Sequence, residues 1–345
     1  MRIFIGTNDK IRHLKIGEVE SEIFDNLISP HALKGLIGSI TNKQLIYGSE
    51  TEIKQGDKVI VSASTGFKRV VGAYDYNNNI WLIGANDGDT KILGKWDENT
   101  WTDLSNNITD IPMSIIFDGM YFWIGQKNGY VHRTNLSTWK DLTNIFNFNG
   151  DVQAICDNKD YVWLGSSTGE LKRFEKATEN VIDLTSNLNA SSIEMLLFNY
   201  KTNELIVIYN SGKVAKSNDL GNTWEDKSSL LGFNVFGVSY NPETGNIYFV
   251  GENGKVVKVS SDWSTIEDIS NIFNLIENIS QIVITPSIIW GIFTSSTTLS
   301  ESKSFCTILI ENNAEINIQA QVNAKYVKVK YGKLVVMNGG LLTVS

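Results

Sequence analysis

The sequence predicts an all-β fold: a β-propeller of four-stranded antiparallel blades, eight by repeat count or seven, in one domain over residues 1–345. Three observations carry this expectation. Short apolar runs closed by glycine recur about 40 residues apart, the spacing of propeller blades. A second marker, ending in aspartate, keeps the same period. No long apolar stripe follows a helical spacing, and glycine interrupts every candidate helix.

The glycine-closed runs are Ile80-Trp81-Leu82-Ile83-Gly84, Phe122-Trp123-Ile124-Gly125, Val162-Trp163-Leu164-Gly165 and Tyr248-Phe249-Val250-Gly251. In Leu205–Tyr209 the tyrosine takes the glycine place. Weaker copies are Ile3–Gly6, Leu45–Gly48 and Ile289–Gly291. β-Branched and aromatic residues bounded by turn residues favour strands. A second glycine follows at Gly88, Gly129, Gly169, Gly212 and Gly254. Asn128-Gly129 and Asn253-Gly254 accept the positive φ of a tight hairpin, so the next run folds back antiparallel.

The closing marker reads Thr100-Trp101-Thr102-Asp103, Thr138-Trp139-Lys140-Asp141, Val181-Ile182-Asp183, Thr223-Trp224-Glu225-Asp226 and Thr265-Ile266-Glu267-Asp268; its aspartates step by 38, 42, 43 and 42. Apolar segments at 114–117, 152–156, 194–198 and 281–284 supply one more strand per unit. Residues 50–66 and 292–323 keep the period and lose the markers. The strands at the two chain ends, including 326–330 and 334–337, are expected to close the ring together.

The chain carries a formal net charge of −8 and no dense run of Lys or Arg, which disfavours nucleic acid as a partner. No secretory leader and no membrane-spanning run is read. The two cysteines, Cys156 and Cys306, lie in apolar segments and read as buried free thiols.

Ser217-Asn218-Asp219-Leu220-Gly221-Asn222-Thr223-Trp224 matches S-x-D-x-G-x-T-W. This resembles the Asp-box, or BNR repeat, of sialidase-like, sortilin-like and photosystem II assembly factor-like propellers. Residues 96–101 and 135–139 are degenerate copies. The resemblance implies a structural role for Ser217, Asp219, Gly221, Thr223 and Trp224: Asp219 caps turn N–H groups, Gly221 permits the bend and Trp224 packs between blades.

Chemistry is harder to place. A sialidase needs clustered arginines for a substrate carboxylate, and Arg2, Arg12, Arg69, Arg133 and Arg173 map to no such triad. Arg133 and Arg173 read as solvated outer-face residues of third strands. Glycoside hydrolysis needs two carboxylates across a cleft, and Glu194 and Asp118 are the candidates, more simply a solvated lining. His13, His31 and His132 lack ligand spacing. Asn86-Asp87-Gly88-Asp89 reads as a hairpin turn in place of a calcium loop. No catalytic residue, metal or cofactor is expected.

The functional expectation is a non-enzymatic propeller scaffold for other proteins. The chain is rich in Asn, Ile, Ser and Lys and poor in Pro, which suits a bacteriophage virion component, tail or capsid-associated, or a bacterial cytoplasmic protein. The alternative is a carbohydrate-binding or glycoside-hydrolase-like propeller, with a glycan as ligand.

Overall fold

The computed structural model describes strands between residues 2 and 344, and side chains mainly for residues 90–95, 100–241, 244–271 and 278–279. An antiparallel meander of Ile37–Gly38, Leu45–Gly48, Glu52–Gln55 and Lys58–Ser62 is followed by five more four-stranded antiparallel sheets. Sheet I holds Arg69–Tyr76, Asn79–Ala85, Lys91–Trp96 and Trp101–Asp103. Sheet II holds Pro112–Phe117, Phe122–Gln126, Val131–Thr134 and Trp139–Asp141. Sheet III holds Val152–Asp157, Tyr161–Ser166, Leu171–Glu175 and Val181–Asp183. Sheet IV holds Ile193–Asn199, Glu204–Tyr209, Lys213–Ser217 and Glu225–Asp226. Sheet V holds Val235–Tyr240, Ile247–Gly251, Val256–Val259 and Ile266–Asp268. Each is a simple meander in chain order.

The second strands explain why the sheets stack. A strand presents alternate side chains to opposite faces. In Glu204–Tyr209, Leu205, Val207 and Tyr209 pack with Trp163, Leu171 and Leu184 of sheet III. Ile206 and Ile208 pack with Val238, Phe249 and Val257 of sheet V. In sheet II, Phe122 and Ile124 meet Leu93 of sheet I, while Trp123 meets Val162, Leu164 and Phe174 of sheet III. Both faces are covered, so these strands are continuous apolar runs without polar alternation.

The hairpins form as the Asn-Gly pairs predict. Asn128 and Gly129 have φ of 53° and 78°, and Asn253 and Gly254 have 54° and 71°. The glycine at the end of the second strand has a different cause, close approach of the next sheet. A Cβ on Gly165 would lie 2.5 Å from Ile193 Cγ2. The ladders also correct the repeat alignment. Ser114 pairs with Gly125 and Ala154 with Gly165, but Met195 pairs with Ile208 and Gly237 with Val250. Tyr209 and Gly251 therefore occupy the place of Gln126 and Ser166, one residue further on. The first strand of each of sheets I to V carries a bulge just before that pairing, at 71, 113, 153, 194 and 236.

The closed propeller of eight or seven blades is corrected by this topology. Each sheet is open, with its first and fourth strands as edges, and no described sheet closes into a ring or barrel. Ring closure by the C-terminal strands is also corrected. The sheet formed by the N-terminal strands Arg2–Gly6, Lys10–Lys15 and Ile23–Asp25 is headed by Gln281–Thr285. Strands after 290 pair in parallel among themselves. Trp290–Phe293, Lys303–Ile310, Gln321–Val329 and Leu341–Val344 make one sheet, and Thr297–Leu299, Ala314–Ile318 and Gly332–Val336 another. The physical reason is connection length: each strand of one sheet is followed by a strand of the other, so a partner is reached by a crossover, which favours parallel pairing. By contacts the chain divides into two compact units, Ile3–Ile284 and Met1–Arg2 with Thr285–Ser345.

Gly165→Ala tests the close approach. Its backbone needs no left-handed conformation, so the cost is overpacking, about 1–3 kcal/mol in urea unfolding. A large share should return in Gly165→Ala/Ile193→Ala relative to the sum of the single variants.

Candidate functional site

The Asp-box stretch forms a closed hydrogen-bonded turn. Ser217 Oγ donates to Asp219 Oδ1 at 2.8 Å and accepts the Gly221 N–H at 2.8 Å. Asp219 Oδ1 accepts the Thr223 N–H at 2.8 Å, and Asp219 Oδ2 the Thr223 hydroxyl at 2.7 Å. The carboxyl of Asp219 is held below its ordinary range by the Thr223 hydroxyl and N–H. Leu220 and Gly221 have φ of 64° and 92°. The carbonyls so presented tie down sheet III: Leu220 O accepts from Trp163 Nε1 at 3.2 Å and Arg173 Nη1 at 2.9 Å, and Gly221 O from Asn187 at 3.3 Å. Trp224 packs on the core shared by sheets III and IV. A copy not read from the sequence lies at Ser260–Thr265, where Asp262 accepts from Ser260 and Ser264 and Trp263 has φ of 62°.

The periodic aspartates share one job. Asp103, Asp141, Asp183, Asp226 and Asp268 each accept, through Oδ1, the N–H two residues on, at 2.8–2.9 Å. The residue there is always Ser or Thr. Its hydroxyl accepts a third-strand N–H, that of Leu93, Val131, Leu171, Val214 or Val256. The motif is thus Asp-x-Ser/Thr, and its hydroxyl half stands in the sequence at a constant offset from the aspartate.

Arg133 and Arg173 are corrected from solvated positions to buried ones, 7% and 8% exposed. The Arg133 guanidinium lies 4.5 Å from the Tyr121 ring centre and 5.5 Å from those of Trp123 and Phe174, and bonds Glu179 of sheet III. Arg173 lies 4.9 Å from Tyr161. Lys216 repeats the arrangement, 5.5 Å from the Trp263 ring of sheet V and 2.8 Å from Glu204. These cations join consecutive sheets.

The other candidates are also placed. Cys156 is a free thiol in the core, its pKa pushed up by burial. His132 is buried; Gln126 Oε1 takes the N–H groups of Thr109 and Asp110, which turns its amide nitrogen to His132 Nδ1 at 2.6 Å and leaves the imidazole proton on Nε2. Side chains of His13, His31, Arg2, Arg12, Arg69 and Cys306, and residues 86–89, lie outside the described residues. Glu194 is a bulge residue bonded to Ser192 and to the Ser211 N–H. It sits at the start of its strand, whereas Asp118 follows the end of Pro112–Phe117, with sheet III between them. The carboxylate pair of a glycosidase is therefore not formed.

Asp118 belongs to another group, gathered where the first strands of the stacked sheets end. Its Oδ1 accepts the N–H groups of Met120 and Tyr121, and its Oδ2 the Trp123 indole at 2.8 Å. Burial works against its charge, but these bonds and Lys176 hold its carboxyl below the usual range. Lys176 Nζ lies 3.4 Å from Asp118 Oδ2 and 3.1 Å from Asp157 Oδ2, and donates to Asn158 O at 2.8 Å. Asp157 is pushed up by burial, against Lys176 and a hydrogen bond from Tyr200. Partial burial and the Asp157 charge raise the Tyr200 phenol, and burial raises that of Tyr240 in sheet V. Four sheets thus contribute to one titratable cluster. Its rim is apolar and open: Met120 is 66% exposed and Tyr200 56%. Among the described residues, no three His, Cys, Asp or Glu side chains are grouped to hold a metal, and no helix is long and apolar enough to cross a membrane.

No family model and no curated protein matches the chain. The Asp-box family resemblance is therefore corrected to a local turn geometry. Solved structures are similar at the level of fold. The computationally designed Ika8 protein is 15% identical, with 83% of this chain and 88% of that one covered and a TM-score of 0.59. Chaetomium thermophilum Sqt1 bound to the N-terminus of ribosomal protein L10 is 12% identical, covering 77% and 82%, at 0.53. YCF48 bound to D1 peptide is 14% identical, covering 79% and 82%, at 0.50. Relatives this diverse and distant share architecture alone. With no described sheet closed into a ring and only distant similar folds, the expected propeller scaffold, virion setting and carbohydrate-active propeller are corrected to an all-β domain of repeated open sheets.

Asp268 generates a pH prediction. Its hydrogen bonds to Lys255 and Ser270 lower its pKa to about 2, against about 3.9 in an unfolded chain. The stabilisation it contributes is complete above the unfolded value and is lost as pH falls through about 2. Asp268→Asn should flatten the stability–pH curve below pH 4, measured by thermal unfolding. Asp219→Ala removes a side-chain cap of the turn and should cost about 1 kcal/mol at neutral pH.

Proposed function

We propose that the protein is a non-catalytic binding module that takes a segment of another protein on the face where the first strands of sheets II to V end. The observation that carries this reading is the pair of exposed side chains, Met120 and Tyr200, flanking the Asp118–Lys176–Asp157 bridge. Aromatic residues and methionine are the types enriched where proteins meet. Both sit in the connection between first and second strands, Met120 in sheet II and Tyr200 in sheet IV, on frames locked by hydrogen bonds.

A non-catalytic role is supported by how the polar groups are used. Asp118 is filled by turn N–H groups and an indole, Glu194 takes a hydroxyl and a backbone N–H on Oε1 while its Oε2 is buried away from solvent without a partner, and Gln126 holds Nδ1 of the buried His132. A general acid or base needs a free edge toward a substrate. Two of the similar folds were solved with a peptide or N-terminal segment bound; at that identity the reading stands on the side chains.

The test is a selection of short random peptides against the full chain. Peptides bound to this face should lose about tenfold or more in affinity on Tyr200→Ala or Met120→Ala, the scale of an interface anchor. The melting temperature of Met120→Ala should stay close to the parent, since that side chain is exposed, and that of Tyr200→Ala should fall modestly with the loss of its Asp157 hydrogen bond and Phe198 contact. Binders indifferent to both substitutions, or no binders, would overturn the reading.

A further inference from the structure

We infer that the corner of Asp157, Tyr200 and Tyr240 receives a cationic side chain of the partner, a lysine or arginine, laid over the Tyr200 ring with its charge toward Asp157. This rests on the binding-face reading above and names the chemistry the face selects.

Lys176 donates to Asn158 O and Asp157 Oδ2, and its ammonium also lies 3.4 Å from Asp118 Oδ2. Asp118 is saturated by two backbone N–H groups, an indole and that ammonium. Asp157 is not. An ionised carboxylate offers about four acceptor positions, and the partners of Asp157 are Lys176 and the Tyr200 hydroxyl. Two carboxylates facing one ammonium leave a negative charge over, and the exposure of the side chains places it: 16% for Asp157 against 3% for Asp118.

The second observation is independent of charge counting. The molecule joins its own sheets with cation, aromatic ring and carboxylate grouped together. Arg133 lies over Tyr121 and bonds Glu179, and Lys216 lies by Trp263 and pairs with Glu204. Tyr200 and Asp157 supply the ring and the carboxylate of such a group. Phe198 sets the Tyr200 ring edge-on, with centroids 5.3 Å apart and planes at 82°. The cation is what a partner would bring. An ammonium or guanidinium over an aromatic face is attracted by the ring quadrupole, more strongly where water is partly excluded.

The experiment uses peptides selected against the full chain whose binding depends on Tyr200. Replacing each Lys or Arg in them by norleucine should weaken binding at one position by about five- to thirtyfold. Asp157→Asn should erase most of that discrimination, and Tyr200→Phe should keep it while Tyr200→Leu does not. If Asp157→Asn melts early, the norleucine series and the Phe/Leu pair still decide the matter. Tyr200-dependent peptides that need no cation, or that bind Asp157→Asn with undiminished preference for lysine, overturn this inference and leave the binding face standing. The absence of any Tyr200-dependent peptide removes both.

Discussion

Double burial of the second strands is the constraint on which the structure depends. Trp123, Trp163 and the run Leu205–Ile208 have almost no exposed surface, because sheets II, III and IV are each pressed between two others. A strand in that position can carry no solvent-facing polar alternation. It also limits the residues where sheets come closest, which is why glycine stands at 165 against Ile193. Burial of a leucine or phenylalanine contributes about 1.5–3 kcal/mol, so the shared cores outweigh any single turn.

Given sheets that stack, polar groups between them must be satisfied. Third-strand cations do this by reaching across: Arg173 to a carbonyl of the Asp219 turn, Arg133 to Glu179, and Lys216, paired with Glu204 of its own sheet, to the Trp263 ring. An unpartnered charge at such depth would be costly. The turn at 217–224 matters for the same reason, since its bent backbone offers Leu220 and Gly221 carbonyls to the neighbouring sheet. A motif that resembles a family signature is here a device for coupling two sheets. At the end of the first strands the same logic runs short of donors, and the Asp157 and Tyr200 corner is the result.

Much of the fold was legible in the sequence. The period of about 40 residues, four strands per unit, the Asn-Gly turns and the aspartate marker all follow from local chemistry. The one-residue slip at Tyr209 and Gly251 was not legible, because a bulge shifts register without changing composition. Nor was the grouping of Asp118, Asp157, Lys176, Tyr200 and Tyr240: Asp118, Asp157, Tyr200 and Tyr240 step by 39, 43 and 40, close to the repeat period, but their residue types differ, so no recurring motif marks them.

By itself the sequence determined the local states: short strands, tight hairpins, capped turns and an apolar stripe on both faces of each second strand. These depend on residues within a few positions of one another, so they are written in the order of the chain. Tertiary structure alone decided that the sheets stay open, that strands after 290 pair in parallel, and that Arg133 and Arg173 are buried. Each of those outcomes turns on which distant segment covers an edge or a face, and neither period nor composition encodes that choice.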